Sequence, residues 1–562
     1  MTQGIGADEL TGLTSLVQFR EELSEELAKS ARRGSQDALT VVYFNVQNFK
    51  GYNQHYGFAA GNELLALVAE AIQKAFPGRM ASRFSADQFA VAATRSTAVD
   101  GILAVRTAFR SHHKDSSIWL KAGYYITRPG DHDPGVVCDR AKMACDDIKG
   151  RRDVFMREYD SKLQEKIQLH RYVLDHFDEA IENHWIKIYY QPIVRVATGE
   201  VCDEEALARW VDPIEGIIAP NDFIPVLEEA RLIHQLDLYM VRRACENFAK
   251  LREHGFELIP VSVNLSRADF ELCDIVAEVS AILDEFGVSH DMVSIELTES
   301  ALAGNQEFLK SEVDRLRSNG FEVWIDDFGA GYSSLSTLKE YKFDLVKFDM
   351  AFLEGFDEVM ESRIMLAHLI SMTKEMGLKT LVEGVETPEQ LSFLRGIGCG
   401  RAQGFLLGRP ASLAESERSM TNRSYLNMEP TAERPFYESV GRINLVRPDP
   451  VEPIDDHYVP SDIAAAIVRR RDGRYEYLNT SDLYVDFLRK VGVGGVSDSE
   501  RVINEPGSRR SDGFVRTFDA CAKSGEWERY TIDTEEGART IRMRPVSAIP
   551  ETDTFAALVI AE

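Results

Sequence analysis

Two adjacent carboxylates, Asp326 and Asp327, follow an apolar run at residues 323–325 that is typical of a buried strand. A second apolar run, further along the chain, ends in Lys347 and Asp349. Neighbouring acids repel each other and are costly to hold together unless a cation lies between them. A metal site is one explanation of this pattern, and the capping of a helix N-terminus by Asp is the other. The acid pair by itself leaves both explanations open.

The elements that must position these side chains repeat along residues 165–415. Short apolar strands end in polar or charged residues, and a helix signal follows each of them. This alternation predicts a TIM-like (β/α)8 barrel within a multidomain chain of α/β and α+β type. The predicted barrel strands cover residues 188–190, 201–207, 259–263, 292–297, 322–325, 345–348, 380–382 and 402–406.

Polar side chains stand at the end of every predicted strand. They are Gln191, Glu205, Arg209, Asn264, Glu296, Glu299, Asp326, Asp327, Lys347, Asp349, Glu383, Glu386 and Gln403. If these residues only capped helices, Ser, Thr and Gly would be more common among them. Their convergence favours a site for hard divalent cations, which prefer carboxylate and amide oxygens. Because side chains alternate along a strand, Asp326 and Asp327 are expected on opposite sides of it, where they could serve different ions.

The composition of the 562-residue chain limits its function further. A chain of this length is expected to form roughly two to four domains. The net charge of −27 argues against binding to a nucleic-acid polymer or an anionic membrane, because both need a positive surface. The seven cysteines are scattered and include no CxxC pair, which fits a reducing compartment. No long apolar run and no signal pattern is present, so a soluble cytoplasmic protein is expected.

The region from 158 to 415 resembles the EAL family of phosphodiesterases, which hydrolyse cyclic di-GMP to linear pGpG. The resemblance rests on the motifs YYQPIV, EALARW, VSVNLS, SIELTES, WIDDFGAGYSSL, LVKFD, LVEGVET and AQGFLLGRP, which run from residue 189 to residue 410. It implies a barrel whose first strand is antiparallel to the others, with two Mg²⁺ or Mn²⁺ ions at the strand ends.

The resemblance also implies a role for each matching residue. The metal ligands would be Glu205, Asn264, Glu296, Asp326, Asp327 and Glu383. Lys347 would act in catalysis with Glu205 and Glu383, by orienting the attacking water and stabilising charge in the transition state. The nucleotide would be held, or its site ordered, by Gln191, Arg209, Gln403, Asp349 and Glu386, with Asp349 supporting Lys347. Glu299 would anchor the loop at residues 329–334.

The region from 1 to 157 alternates helix and strand signals and resembles the GGDEF (diguanylate cyclase) domain. The matching stretches are ADELTGLTSLVQF, YFNVQNFKGYNQHYGFAAGNELL and RFSADQFA. Neutral side chains stand where the family carries the acids of its site: Asn45, Gln47, Gln54, Asn62 and Gln88. A two-Mg²⁺ phosphoryl-transfer site needs those carboxylates. The resemblance therefore implies a degenerate domain without cyclase activity, in a regulatory or dimerising role, with residual GTP binding as the alternative.

A polar, proline-bearing segment follows the barrel, and residues 416–455 are expected to form a linker. Residues 456–562 then show strand, turn, strand and helix signals before a run of alternating strands. This order resembles a PAS sensory domain, although no cofactor motif accompanies it. The sequence leaves the ligand of this domain open.

These patterns together predict a metal-dependent cyclic di-GMP phosphodiesterase. By resemblance it is expected to be a homodimer, and GTP or a small-molecule effector is expected at the GGDEF-like or PAS-like domain. The alternative is a receptor that binds cyclic di-GMP without cleaving it. Receptors of this type typically lack some of the carboxylates, and this chain carries the complete set, which favours the enzyme.

Overall fold

The computed structural model describes residues 7–30, 38–112, 117–302, 306–329, 335–356, 360–421, 427–445, 464–505, 511–534 and 537–561. The chain divides into two compact units, Met1–Tyr172 and Val173–Glu562. Within the described ranges, every helix is too short or too polar to cross a lipid bilayer.

The first unit is built around one mixed sheet. Its strands are β1 (Leu39–Gln47), β2 (Ala81–Ser85), β3 (Gln88–Thr94), β4 (Trp119–Ile126) and β5 (Met156–Glu158), in the order β2-β3-β1-β4-β5. Its helices are α1 (Leu16–Ser30), α2 (Phe49–Ala75), α3 (Arg95–His112) and α4 (Pro134–Asp147), and α5 (Ser161–Glu182) leads into the second unit. Because side chains alternate along β1, Val42 and Phe44 pack with α2 and α3, while Val41 and Tyr43 pack with α1 and α4.

The larger part of the second unit is a closed barrel. Its strands are β6 (Ile186–Arg195), β7 (Val201–Asp212), β8 (Gly216–Ile218), β9 (Val261–Leu265), β10 (Val293–Thr298), β11 (Glu322–Phe328), β12 (Leu345–Phe348), β13 (Lys379–Val382), β14 (Arg401–Ala402) and β15 (Ala411–Ser412). The ring runs β6-β7-β9-β10-β11-β12-β13-β14 and closes by pairing β14 with β6. Strand β6 is antiparallel to both neighbours, and the other ring pairs are parallel.

Helices connect the successive strands of the ring. They are α6 (Pro220–Glu229), α7 (Ile233–Glu253), α8 (Arg267–Leu272), α9 (Ile275–Phe286), α10 (Gln306–Ser318), α11 (Leu335–Glu340), α12 (Met360–Glu375) and α13 (Pro388–Gly396). Helix α14 (Leu413–Thr421) follows the last strand of the ring. The apolar side chains Ile193, Trp324, Leu345 and Leu381 form a buried cluster inside the ring.

The last ring strand is shorter than the sequence predicted. The expected strand covered residues 402–406, whereas β14 ends at Ala402. The chain turns at Gly404, where an added Cβ would lie 2.2 Å from the backbone N and O of Val385. Only glycine permits so close an approach, and the turn that follows ends the strand early.

The rest of the second unit is an antiparallel sheet with helices on both faces. Helix α15 (Arg434–Gly441) comes first, followed by β16 (Ala464–Arg471), β17 (Arg474–Thr480), α16 (Asp482–Lys490), α17 (Val496–Asn504), α18 (Asp512–Ser524), β18 (Glu528–Thr534), β19 (Gly537–Ile549) and β20 (Thr554–Ala561). The strand order is β17-β16-β20-β19-β18. Helices α16, α17 and α18 pack on one face, and α15 packs on the other. We call the part from β16 to β20 the C-terminal module.

The segment expected to be a linker contains packed structure. Helix α15 lies within residues 416–455, and its Phe436, Tyr437 and Val440 are buried. Composition suggested a solvated connection, but these apolar side chains recur at helical spacing and face the sheet of the C-terminal module. Pro448, Pro450 and Pro453 lie outside the described residues.

Candidate functional site

The C-terminal ends of the barrel strands bring most of the predicted site residues together. In the strand register, Gln191 lies opposite Glu205 across β6 and β7, and Asn264 lies beside Glu296 across β9 and β10. Contacts described below join seven side chains into one cluster: Glu205, Asn264, Glu296, Asp326, Lys347, Glu383 and Gln403. The sequence predicted this convergence from strand ends alone.

Lys347 lies at the centre of this cluster and is only 1% exposed. Its Nζ donates to Glu296 Oε2 at 2.6 Å and lies 2.8 Å from Glu383 Oε1 and 3.1 Å from Asp326 Oδ1. Glu205 Oε1 is slightly farther away, at 3.5 Å. Four strands therefore direct a carboxylate at one ammonium group.

Two amides hold Glu205 in place from either side. Gln403 Nε2 donates to Glu205 Oε2 at 2.7 Å, and Asn264 Nδ2 donates to Glu205 Oε1 at 3.3 Å. Each carboxylate oxygen thus has a fixed partner, which orients the group toward the barrel axis.

The electrostatics of the cluster follow from burial and crowding. Burial opposes the charge of Lys347, but the surrounding carboxylates outweigh it and raise the pKa of Lys347 well above its ordinary value. Burial, together with repulsion from Glu205 and Asp326, raises the pKa of Glu296 well above its ordinary value in spite of Lys347. Burial likewise raises the pKa of Glu383 to about 7. One ammonium is therefore too little positive charge for the acids around it.

Asp326 and Asp327 both reach the same side of the strand, which corrects the expectation of opposite sides. Carboxylate oxygens of Asp326, Asp327 and Glu383 all lie within 4.8 Å of one another. The register of β11 against β12 shifts between Ile325 and Phe328, and Asp327 has a φ of 53°. A bulge of this kind breaks the two-residue alternation and re-aims a side chain, and Asp tolerates the left-handed conformation.

The cluster fits a divalent cation by its chemistry. Its donors are carboxylate and amide oxygens, the ligands that Mg²⁺ and Mn²⁺ prefer. In the described part of the chain, Glu296 Oε1 and Gln403 Oε1 are buried without a hydrogen-bond partner. Such atoms are costly to leave unsatisfied, and a cation with its bound water would satisfy them.

Arg209 and Gln191 lie at the margin of the cluster. Arg209 is four residues beyond Glu205 on the same face of β7, roughly 13 Å farther along the strand. Its guanidinium lies 5.8 Å from the ring centroid of Tyr189, and Nη1 donates to the carbonyl oxygen of Ala208. Gln191 Nε2 donates to the carbonyl oxygen of Gly408 at 3.2 Å. The described hydrogen bonds of both side chains are therefore with neighbouring barrel residues rather than with the acids.

Three predicted residues have other described contacts. Asp349 accepts a hydrogen bond from the backbone N of Ala351 and so caps a 3-10 turn, whereas the prediction assigned it to Lys347. Glu386 is exposed, and its backbone N donates to Gln390 at the start of α13. Glu299 begins a 3-10 turn after β10, but residues 330–334 of its expected loop lie outside the described residues.

A second group of ion pairs lies at the opposite end of the barrel, and the sequence did not predict it. It consists of Asp203, Glu322, Lys379 and Arg401, which we call the basal layer. Arg401 Nη1 is 2.8 Å from Asp203 Oδ2, and Lys379 Nζ is 2.6 Å from Glu322 Oε1. Each of these residues precedes a site residue by two or four positions, on the same strand or directly after it, so strand alternation could have revealed them.

The first unit holds neutral side chains at its own predicted positions. Asn45 pairs with Gln88 in the register of β1 and β3. Gln88 Oε1 accepts hydrogen bonds from Tyr43 at 2.5 Å and from Ser85 at 2.9 Å. The amide is therefore held within the hairpin.

Comparisons with known proteins identify two domains. A model of the EAL domain matches residues 175–410, and a model of the diguanylate cyclase GGDEF domain matches residues 5–153. The cyclic di-GMP phosphodiesterase NbdA of Pseudomonas aeruginosa is 31% identical over 425 residues, which cover 73% of this chain and 53% of NbdA. The cyclic di-GMP phosphodiesterase PdeR of Escherichia coli is 29% identical over 423 residues, which cover 73% of this chain and 62% of PdeR.

A solved structure is also similar. The PaMucR phosphodiesterase in complex with c-di-GMP is 31% identical, with a TM-score of 0.41, over 43% of this chain and 99% of that one. The chain spans about half the length of the first curated relatives that it matches.

Proposed function

Since the chain carries an EAL domain and a GGDEF domain, we propose that its barrel is a divalent-metal-dependent phosphodiesterase that hydrolyses cyclic di-GMP to linear pGpG. The observation that supports this most is the convergence of five carboxylates, one Asn and one Lys at the ends of adjacent barrel strands. They are Glu205, Asn264, Glu296, Asp326, Asp327, Glu383 and Lys347.

The metal ligands of the proposed enzyme are the six oxygen-bearing members of this set. Two Mg²⁺ or Mn²⁺ ions would supply a nucleophilic water and neutralise the phosphodiester. Gln403 and Asn264 fix the orientation of Glu205 through their hydrogen bonds. Because Asn264 is on β9 and Gln403 directly follows β14, both amides are pre-positioned, and little reorganisation would be needed when the ions bind.

Lys347 acts by its charge rather than as a base. Its pKa lies well above the ordinary value, because the carboxylates outweigh the effect of burial. It therefore keeps its proton and stabilises the negative charge that develops on the phosphate in the transition state. Its four acidic partners hold the ammonium in place without movement during the reaction.

The nucleotide would bind next to the site acids, at the C-terminal ends of the barrel strands. Arg209, on the same face of β7 as Glu205, would contact a phosphate or a base of the nucleotide. Gln191, Asp349, Glu386 and Gln403 complete the proposed border of this surface, and Glu299 the proposed anchor of the adjoining loop.

The proposal is tested by incubating the full chain with cyclic di-GMP and Mg²⁺ or Mn²⁺ and separating the products. Linear pGpG is expected, and EDTA should abolish it. Asp326→Asn should remove turnover while the protein stays folded, whereas Asp291→Asn, an exposed acid before β10, should leave it unchanged. Binding of cyclic di-GMP without any product at stoichiometric protein would establish the receptor instead.

We further propose that the GGDEF domain has no cyclase activity and serves a regulatory or dimerising role. The support is chemical, because Asn45, Gln47 and Gln88 cannot replace the carboxylates of a two-Mg²⁺ site. Incubation with GTP and Mg²⁺ should yield no cyclic di-GMP. A response of the phosphodiesterase rate to GTP would show that this domain retains nucleotide binding.

The proposed layout of the chain is a degenerate GGDEF domain at 1–157, the EAL barrel at 158–415, a connection at 416–455 and a PAS-like domain at 456–562. We propose a homodimer as its assembly. Light scattering of the full chain would test the dimer, and a monomer at all concentrations would contradict it.

A further inference from the structure

The segment 427–445 completes the basal layer at the closed end of the barrel. Glu438, on α15, lies 2.7 Å from Arg401 Nη2, 3.0 Å from Lys379 Nζ and 3.3 Å from Arg195 Nη2. Arg434 of the same helix lies 3.1 Å from Asp203. The carboxylate of Glu438, which lies outside the barrel, thus forms ion pairs with cations on three different barrel strands.

A second acid of this segment has a narrower role. Arg195 of β6 donates two hydrogen bonds of 2.7 Å to Glu429, and the two residues form a bidentate pair. Neither Lys379 nor Arg401 is among its described partners. Glu429 and Glu438 are therefore neighbours in one segment, but only Glu438 joins β13 and β14.

Removing the charge of Glu438 would unbalance a buried cluster. The cations are Arg195, Lys379, Arg401 and Arg434, and the anions are Asp203, Glu322, Glu429 and Glu438. Without Glu438, one positive charge is in excess, and Arg401 is only 1% exposed. Burial opposes the charge of Glu438, but Arg401, Arg195 and Lys379 outweigh it and hold its pKa well below the ordinary range. Each cation that contacts Glu438 keeps one other acid, so the excess charge is shared by the buried cluster, where it costs more than it would at the surface.

The strands that contact Glu438 continue directly into the candidate site. Arg401 is two residues before Gln403, which directly follows β14, and Lys379 is four residues before Glu383, which directly follows β13. Both site residues still donate a backbone hydrogen bond to the neighbouring strand, Gln403 to Val382 and Glu383 to Phe348. The guanidinium of Arg401 also lies 5.3 Å from the ring centroid of Trp324, which is two residues before Asp326. A displacement of Arg401 or Lys379 would therefore be transmitted along rigid strands to the candidate site.

The opposite face of α15 packs on the C-terminal module. Phe436, Tyr437 and Val440 lie in one buried cluster with side chains of β16 and β20, among them Ile467 and Leu558. Just before α15, Glu433 lies 2.8 Å from Arg471 of β16. Helix α15 thus lies between the sheet of the C-terminal module and the basal layer.

We propose that Glu438 is a positioning residue through which the C-terminal module sets the alignment of β11, β13 and β14. The residues aligned are Asp326, Glu383 and Gln403. This inference rests on the proposed phosphodiesterase function for one of its readouts. It assigns to the C-terminal module a mechanical role in the site, whatever ligand that module binds.

The test is Glu438→Gln in the full chain, which keeps the shape and removes the charge. We expect the kcat for cyclic di-GMP to fall roughly 2- to 30-fold, with the KM changed much less. Glu429→Gln is the matched control, because it breaks a buried ion pair in the same segment that does not reach β13 or β14. It should lower the Tm while the kcat stays within about twofold of wild type. Glu526→Gln, at an exposed acid of the C-terminal module, should change neither.

Two results would overturn the inference. One is a wild-type kcat in Glu438→Gln despite a lower Tm. The other is a Glu429→Gln variant that loses as much kcat and as much Tm as Glu438→Gln does, because general destabilisation would then be the cause. If Glu438→Gln does not fold, Lys379→Gln replaces it, because Lys379 is partly exposed and loses the same contact. An unchanged kcat in that variant would also refute the proposal.

A readout without turnover separates this inference from the proposed function. If the wild-type chain binds Mg²⁺ but does not hydrolyse cyclic di-GMP, the rise in Tm on adding Mg²⁺ reports the alignment of the acids. We expect a smaller rise in Glu438→Gln than in Glu429→Gln. Equal rises would contradict the positioning role even though the proposed function had already failed.

Discussion

Lys347 Nζ donates a hydrogen bond of 2.6 Å to Glu296 Oε2 across the barrel interior, and both side chains are almost completely buried. A buried ion pair stabilises a protein only when further contacts offset the cost of removing both charges from water. Here Asp326, Glu383 and Glu205 supply such contacts to Lys347, but they also add negative charge. The ammonium and any bound divalent cations therefore neutralise the same acids.

Replacing Lys347 with Met should make the stability of the protein strongly dependent on metal. Without Mg²⁺, the buried acids lose their only described cation, and we expect a loss of about 3–5 kcal/mol. Bound Mg²⁺ would neutralise them, so the rise in Tm on adding Mg²⁺ should be larger in Lys347→Met than in wild type. Turnover should still fall by at least roughly 100-fold, because the charge that stabilises the transition state is gone.

Thermal unfolding in EDTA and in saturating Mg²⁺ measures this dependence. Lys342→Met, an exposed lysine that precedes β12, is the control and should behave as wild type. An equal rise in Tm on adding Mg²⁺ to Lys347→Met and to wild type would mean that the metal and the Lys347 ammonium do not neutralise the same acids.

Two substitutions at Asp327 should separate its charge from its backbone conformation. Asp327→Asn keeps a side chain that tolerates a φ of 53°, and we expect normal stability with weaker Mg²⁺ dependence of activity. Asp327→Val should in addition lose roughly 1–2 kcal/mol, because β-branched residues are strained in this conformation. Chemical unfolding in EDTA compares the two, and equal stability would argue against the bulge.

Gly404→Ala should displace the end of β14. The added Cβ would lie 2.2 Å from the backbone of Val385, and neither chain segment can move away without breaking its hydrogen bonds. We expect a lower Tm and, because Gln403 orients Glu205, a lower kcat. Gly396→Ala at the end of α13 is the control, since its Cβ would meet nothing within 4 Å. A Gly404→Ala protein with normal Tm and kcat would contradict the close packing.

Two buried carboxyl groups, Asp237 on α7 and Asp269 on α8, should make the stability of the protein depend on pH. Burial, the negative charge of Asp269 and a hydrogen bond to it raise the pKa of Asp237 well above 3.8, and Glu228 adds to the repulsion. His234 is also close to Asp269. A raised carboxyl pKa means that the folded protein holds a proton which the unfolded chain releases. The contribution of this pair to stability should therefore fall as the pH rises above about 3.8, until the pH passes the raised pKa.

Asp237→Asn should flatten this pH dependence, because the amide cannot ionise. Tm values measured across that pH range for wild type and variant test the effect. Asp291→Asn should leave the slope unchanged. A slope in Asp237→Asn equal to that of wild type would show that the pair is not the cause.

The sequence was informative wherever chemistry follows from strand ends. Lys347, Glu205 and Glu383 stand just at or after apolar runs, and parallel strands of one barrel must end at one face. Their identity and approximate location could therefore be predicted without coordinates. Asp349 was harder to interpret, because a carboxylate after a strand serves equally well as a cap, and Ala351 is its described partner.

Tertiary structure decided three matters that the sequence left open or misjudged. The bulge in β11 brings Asp326 and Asp327 to one side, and such bulges depend on the register of a neighbouring strand. The shortness of β14 depends on the backbone of Val385, which is distant in sequence. The insertion of Glu438 into the basal layer depends on a helix that composition had suggested was a linker.

The sequence by itself therefore determined most of the barrel strands and the chemical groups at their ends, because strand periodicity and residue type are local properties. Only the tertiary structure decided which of these groups meet. Lys347 and Glu296 are 51 residues apart, and Glu205 and Gln403 are 198 residues apart. Their contacts exist because the ring of strands closes, and closure is a property of the whole barrel rather than of any one strand.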